Sequence, residues 1–229
     1  KRENVTDEHF QKHLNGVEPT LGIIPINEKD NCRWGCIDVD SYAGFDHKKL
    51  LNKIKTLNLP LIICRSKSGG AHIFLFIEGC TEAKILRDKL NEIRAILGFG
   101  NAEVFPKQIE LKSEEDTGNF LNLPYFGGDK TTRYAFKNDG TAASLEEFYT
   151  LYETHKVKPE NVSNIKIQRE ESEFSDGPPC IETLSIEGIS EPGRNNALFH
   201  FAIYAKKKWP NHWKEKISWF HAKYINGDL

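Results

Sequence analysis

The chain has 229 residues, 38% of them hydrophobic and 28% charged, with a formal net charge of −2. That length allows one large domain, or a domain with a small module, and the apolar share is enough for a core, which excludes wholesale disorder. No run approaches the roughly 18 apolar residues of a membrane span and no apolar leader opens the chain, so a soluble protein with no membrane partner is expected.

In chain order, a short polar helix is expected near Glu8–Leu14 and a strand over Leu21–Ile26. Arg33–Val39 reads as a strand. Asp46–Leu57 reads as a helix with Leu50, Ile54 and Leu57 on one stripe, stopped by Asn58 and Pro60. Leu61–Cys64 is a short buried strand, Ser66–Gly70 a turn, and Ala71–Ile77 a further strand. Thr81 is placed to cap the next helix, which carries Leu86, Leu90, Ile93 and Leu97 on one face and ends at Gly98. Ala102–Phe105 is a strand closed by Pro106. The order β-α-β-β-α-β predicts an α+β fold with an RRM-like split βαβ sheet, four strands with two helices on one face.

Further on, a strand is expected around Thr132–Phe136, then a turn at Asn138–Gly140 and a helix opened by a Ser144/Glu147 capping box. This divides the chain into a catalytic domain over residues 1–157, an acidic linker over 158–179 and a small basic helical module over 180–229. Charge follows the same division. Glu160–Glu191 is strongly acidic, whereas Gly193–Lys223 carries seven basic residues against Glu215 alone. That basic stretch also holds Trp209, Trp213 and Trp219, so it is suited to stack on bases and pair with phosphates, or else is a solvated helix face.

Cys32, Cys36, Cys64, Cys80 and Cys180 form no CxxC pair and have no zinc-site partners, so structural zinc is not expected and a reducing cytoplasm is the natural setting. A chain that begins at Lys1 and contains no methionine is taken as part of a longer protein.

Asp38 and Asp40 project from the same face at a strand end, where two bare carboxylates repel; an oxygen-seeking ion such as Mg²⁺ or Mn²⁺ resolves the conflict, unless both are simply exposed. Arg65, Ser68 and His72 surround the Ser66–Gly70 turn and are donors suited to a polyphosphate, although a histidine there is also an ordinary strand-start residue. Glu103 is either a surface acid or a third carboxylate beside the two aspartates. With Lys107, these residues on one surface make a two-metal phosphoryl-transfer site.

The segments CIDVD, SKSGGAH, EVFPKQ and GNFLNLPYF resemble, in order and roughly in spacing, motifs of the archaeo-eukaryotic primase superfamily, in particular the primase-polymerase domains of phage and plasmid replication proteins. The resemblance covers about residues 20–155, and PPCIETL…GRNNALFHFAIYAKKKWP is similar to the helical module that follows such domains. It implies a DNA-dependent primase-polymerase using dNTPs or NTPs on a single-stranded DNA template, with a helicase on the full-length chain or as a partner, in a bacterial cytoplasm. It also implies Asp38, Asp40 and Glu103 as metal ligands, with His72 beside them as a catalytic residue and phosphate contact. Arg65, Ser68, Lys107 and Asn122 would bind the nucleotide, and Asn119 is a weaker groove assignment. In the basic module, Arg194, Asn195, Asn196, Lys206, Lys207 and Lys208 are expected to grip nucleic acid. A metal-dependent nuclease, a non-catalytic single-strand-binding module and a DxD glycosyltransferase are the competing classes. Only 37 residues precede the DxD, too few for a nucleotide-sugar domain.

Overall fold

A computed structural model describes residues 4–40, 44–113, 116–167, 174, 176–187 and 194–225. The chain is a mixed α+β structure that divides into two compact units, Lys1–Gln168 and Arg169–Leu229.

In the first unit, α1 (Asp7–Leu14) precedes a two-residue strand β1 (Gly22–Ile23). The longer strand expected at Leu21–Ile26 is cut short because Pro25 has no N–H for the ladder; beyond it only Ile26 bridges to Cys32. The central elements follow the expected alternation: β2 (Asn31–Val39), α2 (His47–Thr56), β3 (Ile62–Arg65), β4 (Ala71–Glu82), α3 (Ala83–Leu97) and β5 (Glu103–Phe105). They form an antiparallel sheet in the order β3-β4-β2-β5. Asp46 caps α2 by accepting from the Lys49 amide, and Gly98 ends α3 in the left-handed region at φ +86°.

Thr81 is not the cap of α3. It lies inside β4, buried opposite Cys32, and the cap position is Glu82. A register shift between Cys32 and Trp34 lets β4 run further than its apolar stretch suggests.

The sheet is buried on both faces. On one, Ile37 and Val39 of β2 and Ala71, Ile73, Leu75 and Ile77 of β4 share a core with Leu50 and Ile54 of α2 and Leu86, Leu90 and Ile93 of α3. On the other, Cys36, Cys64, Phe74 and Phe105 meet a cover made by β6 (Leu121–Asn122), Tyr125, Ala135, Ala143 and α4 (Leu145–His155). Burial pushes the thiols of Cys36 and Cys64 well up, so both stay protonated and act as small apolar groups. Tyr125 ties the cover together: its hydroxyl accepts from the Ala135 amide and donates to the Ala143 carbonyl.

No separate strand forms at Thr132–Phe136. That segment lines the free edge of β3 through an isolated Cys64–Ala135 bridge, with Arg65 N–H donating to the Tyr134 carbonyl and Phe136 N–H to Ile63. Tyr125 N–H takes the Arg133 carbonyl, which diverts the segment from a regular ladder. The Ser144/Glu147 capping box is present at α4.

The first unit also extends past the expected boundary at 157. Val157 bridges Ile77, Val162 is fully buried, and Ile165 and Ile167 pack on the first core, so residues 158–167 belong to this unit rather than to a linker. Of the remaining expected linker, 168–173 and 175 lie outside the described residues.

β1 pairs with β6 across nearly the whole unit, Gly22 opposite Asn122 and Ile23 opposite Leu121. The buried His13 fastens α1 to this ribbon. Its Nδ1 accepts from the Leu21 amide at 3.1 Å, and its Nε2 donates to the Pro124 carbonyl at 2.8 Å.

The second unit is helical: α5 (Pro179–Glu187), α6 (Arg194–Lys208) and α7 (Trp213–Tyr224). Its core is aromatic, with Phe201 stacked on Phe220 at 3.8 Å and Phe174 set edge-on to both.

Candidate active site

The sheet register assembles the site. Asp38 on β2 lies directly opposite His72 on β4 and, on its other side, directly opposite Glu103 on β5. Directly opposed residues share a sheet face, so the three side chains leave the same face as Cys36 and Phe74. The row sits where the apolar part of that face gives out, at the ends of β2, β4 and β5. Asp40, two residues on from Asp38, follows the end of β2.

His72 Nε2 lies 3.4 Å from Asp38 Oδ1, and this carboxylate oxygen is buried without a hydrogen-bond partner. Ser68 donates to Asp40 at 3.4 Å and shares a hydrogen bond with Ser66 at 3.0 Å. The turn between β3 and β4 is closed by Ser66 N–H on the Gly70 carbonyl and Gly69 N–H on Ser66, with Gly69 at φ +92°, a conformation that favours glycine. Two of its amides are thus spent inside the turn, and Ser66, Lys67 and Ser68 line the site. His47 of α2 holds the turn from outside by donating to Gly70 O at 2.9 Å.

Two cavities meet at the aspartates. One, of about 390 Å³, is lined by Asp38 and Asp40 together with Arg65, His72, Asn122 and Arg133, as well as the serine turn. The other, of about 370 Å³, is lined by the same two aspartates, Glu103 and the Gly98–Ala102 loop. The first is predominantly basic beyond the aspartates; in the second, Glu103 adds a third acid.

Arg65 donates to the Thr132 carbonyl at 3.3 Å, and Asn122 accepts from Thr20 at 3.3 Å. Lys107 pairs with Glu103 at 2.6 Å, so both stand beside the aspartates, but Lys107 is not among the residues lining the basic cavity. Asn119 lines neither cavity; its side chain accepts from Gln108 at 2.6 Å.

Arg133 is the site residue that the sequence did not single out. Its Nη1 is buried without a partner, and the guanidinium lies 5.3 Å from the Phe126 ring. It stands 68 positions from Arg65, and only the pairing of 134–136 with the β3 edge brings the two together. Recognising that pairing was the one available signal.

Asp38 and Asp40 suit a hard divalent cation, because they offer oxygen donors and the buried Asp38 Oδ1 has no hydrogen-bond partner among the described residues. Among the described residues, no three His, Cys, Asp or Glu side chains are gathered closely enough to hold an ion by themselves.

In the second unit, the expected nucleic-acid residues fall at opposite ends of α6. Arg194, Asn195 and Asn196 open the helix and Lys206, Lys207 and Lys208 close it, about 18 Å apart at 1.5 Å per residue. The three lysines do not act as one group. Two of them lie among tryptophans: Lys206 is 5.6 Å from the Trp213 ring, and Lys208 is 4.9 Å from Trp209. Lys207 does not share this setting. It is exposed in the last turn of α6 and stands over none of these rings, because successive helix positions point about 100° apart. Its place among the tryptophans is taken by Lys216 of α7, 5.1 Å from Trp209 and 5.5 Å from Trp219. Asp176 binds Lys208 at 2.6 Å. No helix among the described residues is long and apolar enough to cross a membrane.

The sheet thus lines up an aspartate, a histidine and a glutamate beside a basic and an acidic cavity. Residues 1–165 match the family described as "TOTE conflict system, Archaeo-Eukaryotic Primase domain", and the chain belongs to this family of archaeo-eukaryotic primase domains. The family's setting is a conflict system, which replaces the phage or plasmid replication context expected from the motifs. Among curated proteins none matches the chain.

Proposed function

We propose that the chain is a template-directed nucleotidyltransferase, a primase-polymerase that joins dNTPs or NTPs on single-stranded DNA. The observation that carries this reading is the register: Asp38, His72 and Glu103 stand in one row, and the two aspartates line both cavities. The strand order β3-β4-β2-β5 with its strand–helix–strand–strand–helix–strand connections supports an RRM-like split βαβ core, which leaves one end of a sheet face for a nucleotide.

Asp38 and Asp40, with Glu103 as the third acid beside them, would hold Mg²⁺ or Mn²⁺, and the ion would supply positive charge favouring ionisation of a 3′-hydroxyl and the departing pyrophosphate. Arg65, Arg133, Ser68 and His72 face the basic cavity and bind the triphosphate there, placing its α-phosphate by the aspartates. Lys107, paired with Glu103, keeps that acid oriented and adds positive charge at the edge of the nucleotide site. Asn122, steadied by Thr20, contacts the sugar or base. These residues position; the bond exchange, 3′-oxygen to α-phosphorus forming as the α–β bridge breaks, belongs to the substrates. A helicase, on the full-length polypeptide or as a partner, would supply the single strand. The cysteines of the chain are free, which suits the reducing cytoplasm we propose as its setting.

The test is synthesis without a primer. The protein is incubated with single-stranded DNA, labelled dNTPs or NTPs and Mg²⁺ or Mn²⁺, beside an Asp38→Asn control. Short products from the parent alone are expected. Absence of both primer-free and primed synthesis, with the template degraded, would make the protein a nuclease instead.

Arg133→Ala should raise KM for the nucleotide about 10- to 100-fold, the loss of a charge-assisted bond of about 1.5–3 kcal/mol, with a smaller change in kcat. An unchanged KM would remove Arg133 from the triphosphate grip.

The second unit, with lysines and indoles interleaved, is proposed to hold template or initiating nucleotide. A chain ending at Gln168 should therefore extend an annealed primer but initiate at least about tenfold less well than the parent. Equal initiation by both would show that the helices take no part.

A further inference from the structure

Phe120 is 58% exposed, although the next residue, Leu121, is buried. Its seat is specific. A Cβ at Gly22 would come within 2.4 Å of Phe120 Cδ2 and 3.1 Å of Cε2 and Cγ, so one edge of the ring occupies the space that only glycine leaves on β1. Gly22 does not adopt a positive φ, and its smallness rather than its flexibility is what the fold uses.

The backbone leading into Phe120 is anchored as well. Gln108 donates to the Asn119 side chain at 2.6 Å and accepts from the Asn119 amide at 3.3 Å, tying the segment before Phe120 to the one that follows β5. An exposed aromatic thus sits on a glycine seat and follows a residue tied down by two hydrogen bonds.

Its location gives it a use. Alternate residues of an extended chain share a face, so Phe120 and Asn122 leave the β1/β6 ribbon together while Leu121 turns into the core. Asn122 lines the basic cavity with Asp38 and Asp40, and Phe120 lies two residues, about 7 Å along the strand, beyond it. Asn122, which leaves the same face, is an amide, and the cavity it lines carries Arg65, His72 and Arg133, a polar and basic setting that suits a flat, polar-edged base beside a phosphate backbone better than an apolar protein or lipid surface.

We infer that Phe120 is a stacking platform for one base of the single-stranded DNA template, where that strand approaches the nucleotide cavity. The inference rests on the proposed template-directed reading of the adjoining site. Stacking needs a flat ring, is tolerant of sequence, and is insensitive to which nucleotide the site joins.

The experiment measures binding of a fluorescein-labelled single-stranded DNA oligonucleotide by anisotropy, using the full chain and its Phe120→Ala, Phe120→Leu and Phe120→Trp variants. A series of oligonucleotides, each with one abasic position, is titrated in parallel. Ala and Leu should both weaken binding about five- to a hundredfold, the range for loss of one base–aromatic stack. Trp should keep the parent's affinity and gain emission that is quenched by the oligonucleotide, beyond the quenching of the parent's own tryptophans. One abasic position should weaken the parent and leave Phe120→Ala unaffected.

Restoration by Leu would mean that the ring merely fills the space beside Gly22 and would overturn the inference. So would equal binding by the parent and Phe120→Ala. Primed and primer-free synthesis by the parent is scored separately. A parent that binds DNA through Phe120 but makes no product supports the stacking site while the catalytic reading fails, and a parent that binds no single strand removes both.

Discussion

Asp38→Asn should reduce nucleotidyl transfer by about 10³-fold, a loss of about 4 kcal/mol of transition-state stabilisation, without lowering the melting temperature. The two halves of this expectation have one cause. Among the described residues Asp38 Oδ1 is buried with no hydrogen-bond partner, and His72 Nε2 lies 3.4 Å from it. A carboxylate held this way costs the fold free energy that ion binding recovers, and the near-isosteric amide removes the unpaired charge. In metal-free buffer the variant should melt at the parent's temperature or up to a few degrees above it. Added Mg²⁺ or Mn²⁺ should raise the melting temperature of the parent, by about 2.7 kcal/mol of stability at a hundredfold excess over Kd, and leave the variant unmoved. A variant that retains activity, or that melts well below the parent, would show that Asp38 is a structural acid.

Leu90→Ala should give the largest loss of stability, about 2–5 kcal/mol, seen as a melting temperature lower by about 5–20 °C. Leu90 is fully buried on α3, and its Cδ1 would lie 2.5 Å from a Cβ placed at Gly35, so leucine and glycine fit together where helix meets strand. Gly35→Ala is the opposite defect. Its Cβ would meet Leu90 and also the Phe105 carbonyl oxygen at 2.8 Å, and overpacking of this kind costs about 1–3 kcal/mol. Combined, the two should cost less than their sum, because the truncated leucine makes room for the added methyl. Recovery should be incomplete, since the Phe105 carbonyl cannot retract without moving β5. Because Glu103 is on β5, Gly35→Ala should impair catalysis even where the protein stays folded. Chemical denaturation of the three variants beside the parent measures the coupling; strict additivity would mean that the contact is not tight.

The order of the central elements was legible because each carries a clear signal: Leu50, Ile54 and Leu57 at helical spacing, and an unbroken apolar run in Ile73–Ile77. That the three acid- and histidine-bearing strands share one sheet also followed from that order. The residue-by-residue alignment of Asp38 with His72 and Glu103 did not, because register is fixed by which side chains fill the two cores and not by local spacing. Thr81 looked like a cap since it follows the apolar run, but a register shift in the ladder carried the strand past it. Residues 158–167 looked like linker because Val162, Ile165 and Ile167 are spread among charged neighbours with no period, yet they reach the core singly. Arg194 and Lys206 were grouped by charge, and the length of the helix between them separates what composition had joined. Lys207 was grouped with its two neighbours in the same way, and the helical turn parts it from the tryptophans that they approach.

The β1/β6 ribbon has a consequence for how the protein is made. One wall of the basic cavity needs Asn122, whose strand partner is Gly22, and His13 joins the same wall through the Pro124 carbonyl. During synthesis the early partners emerge first and wait for residues about a hundred positions later, about 5–20 s at ordinary elongation rates. Until then Asp38 and His72 can already be paired on the sheet, but the chamber beside them has no lid of protein on that side. A ribosome-bound fragment shorter than this closing contact therefore carries the acids without the pocket, and the completed cavity is one of the last features the nascent domain acquires.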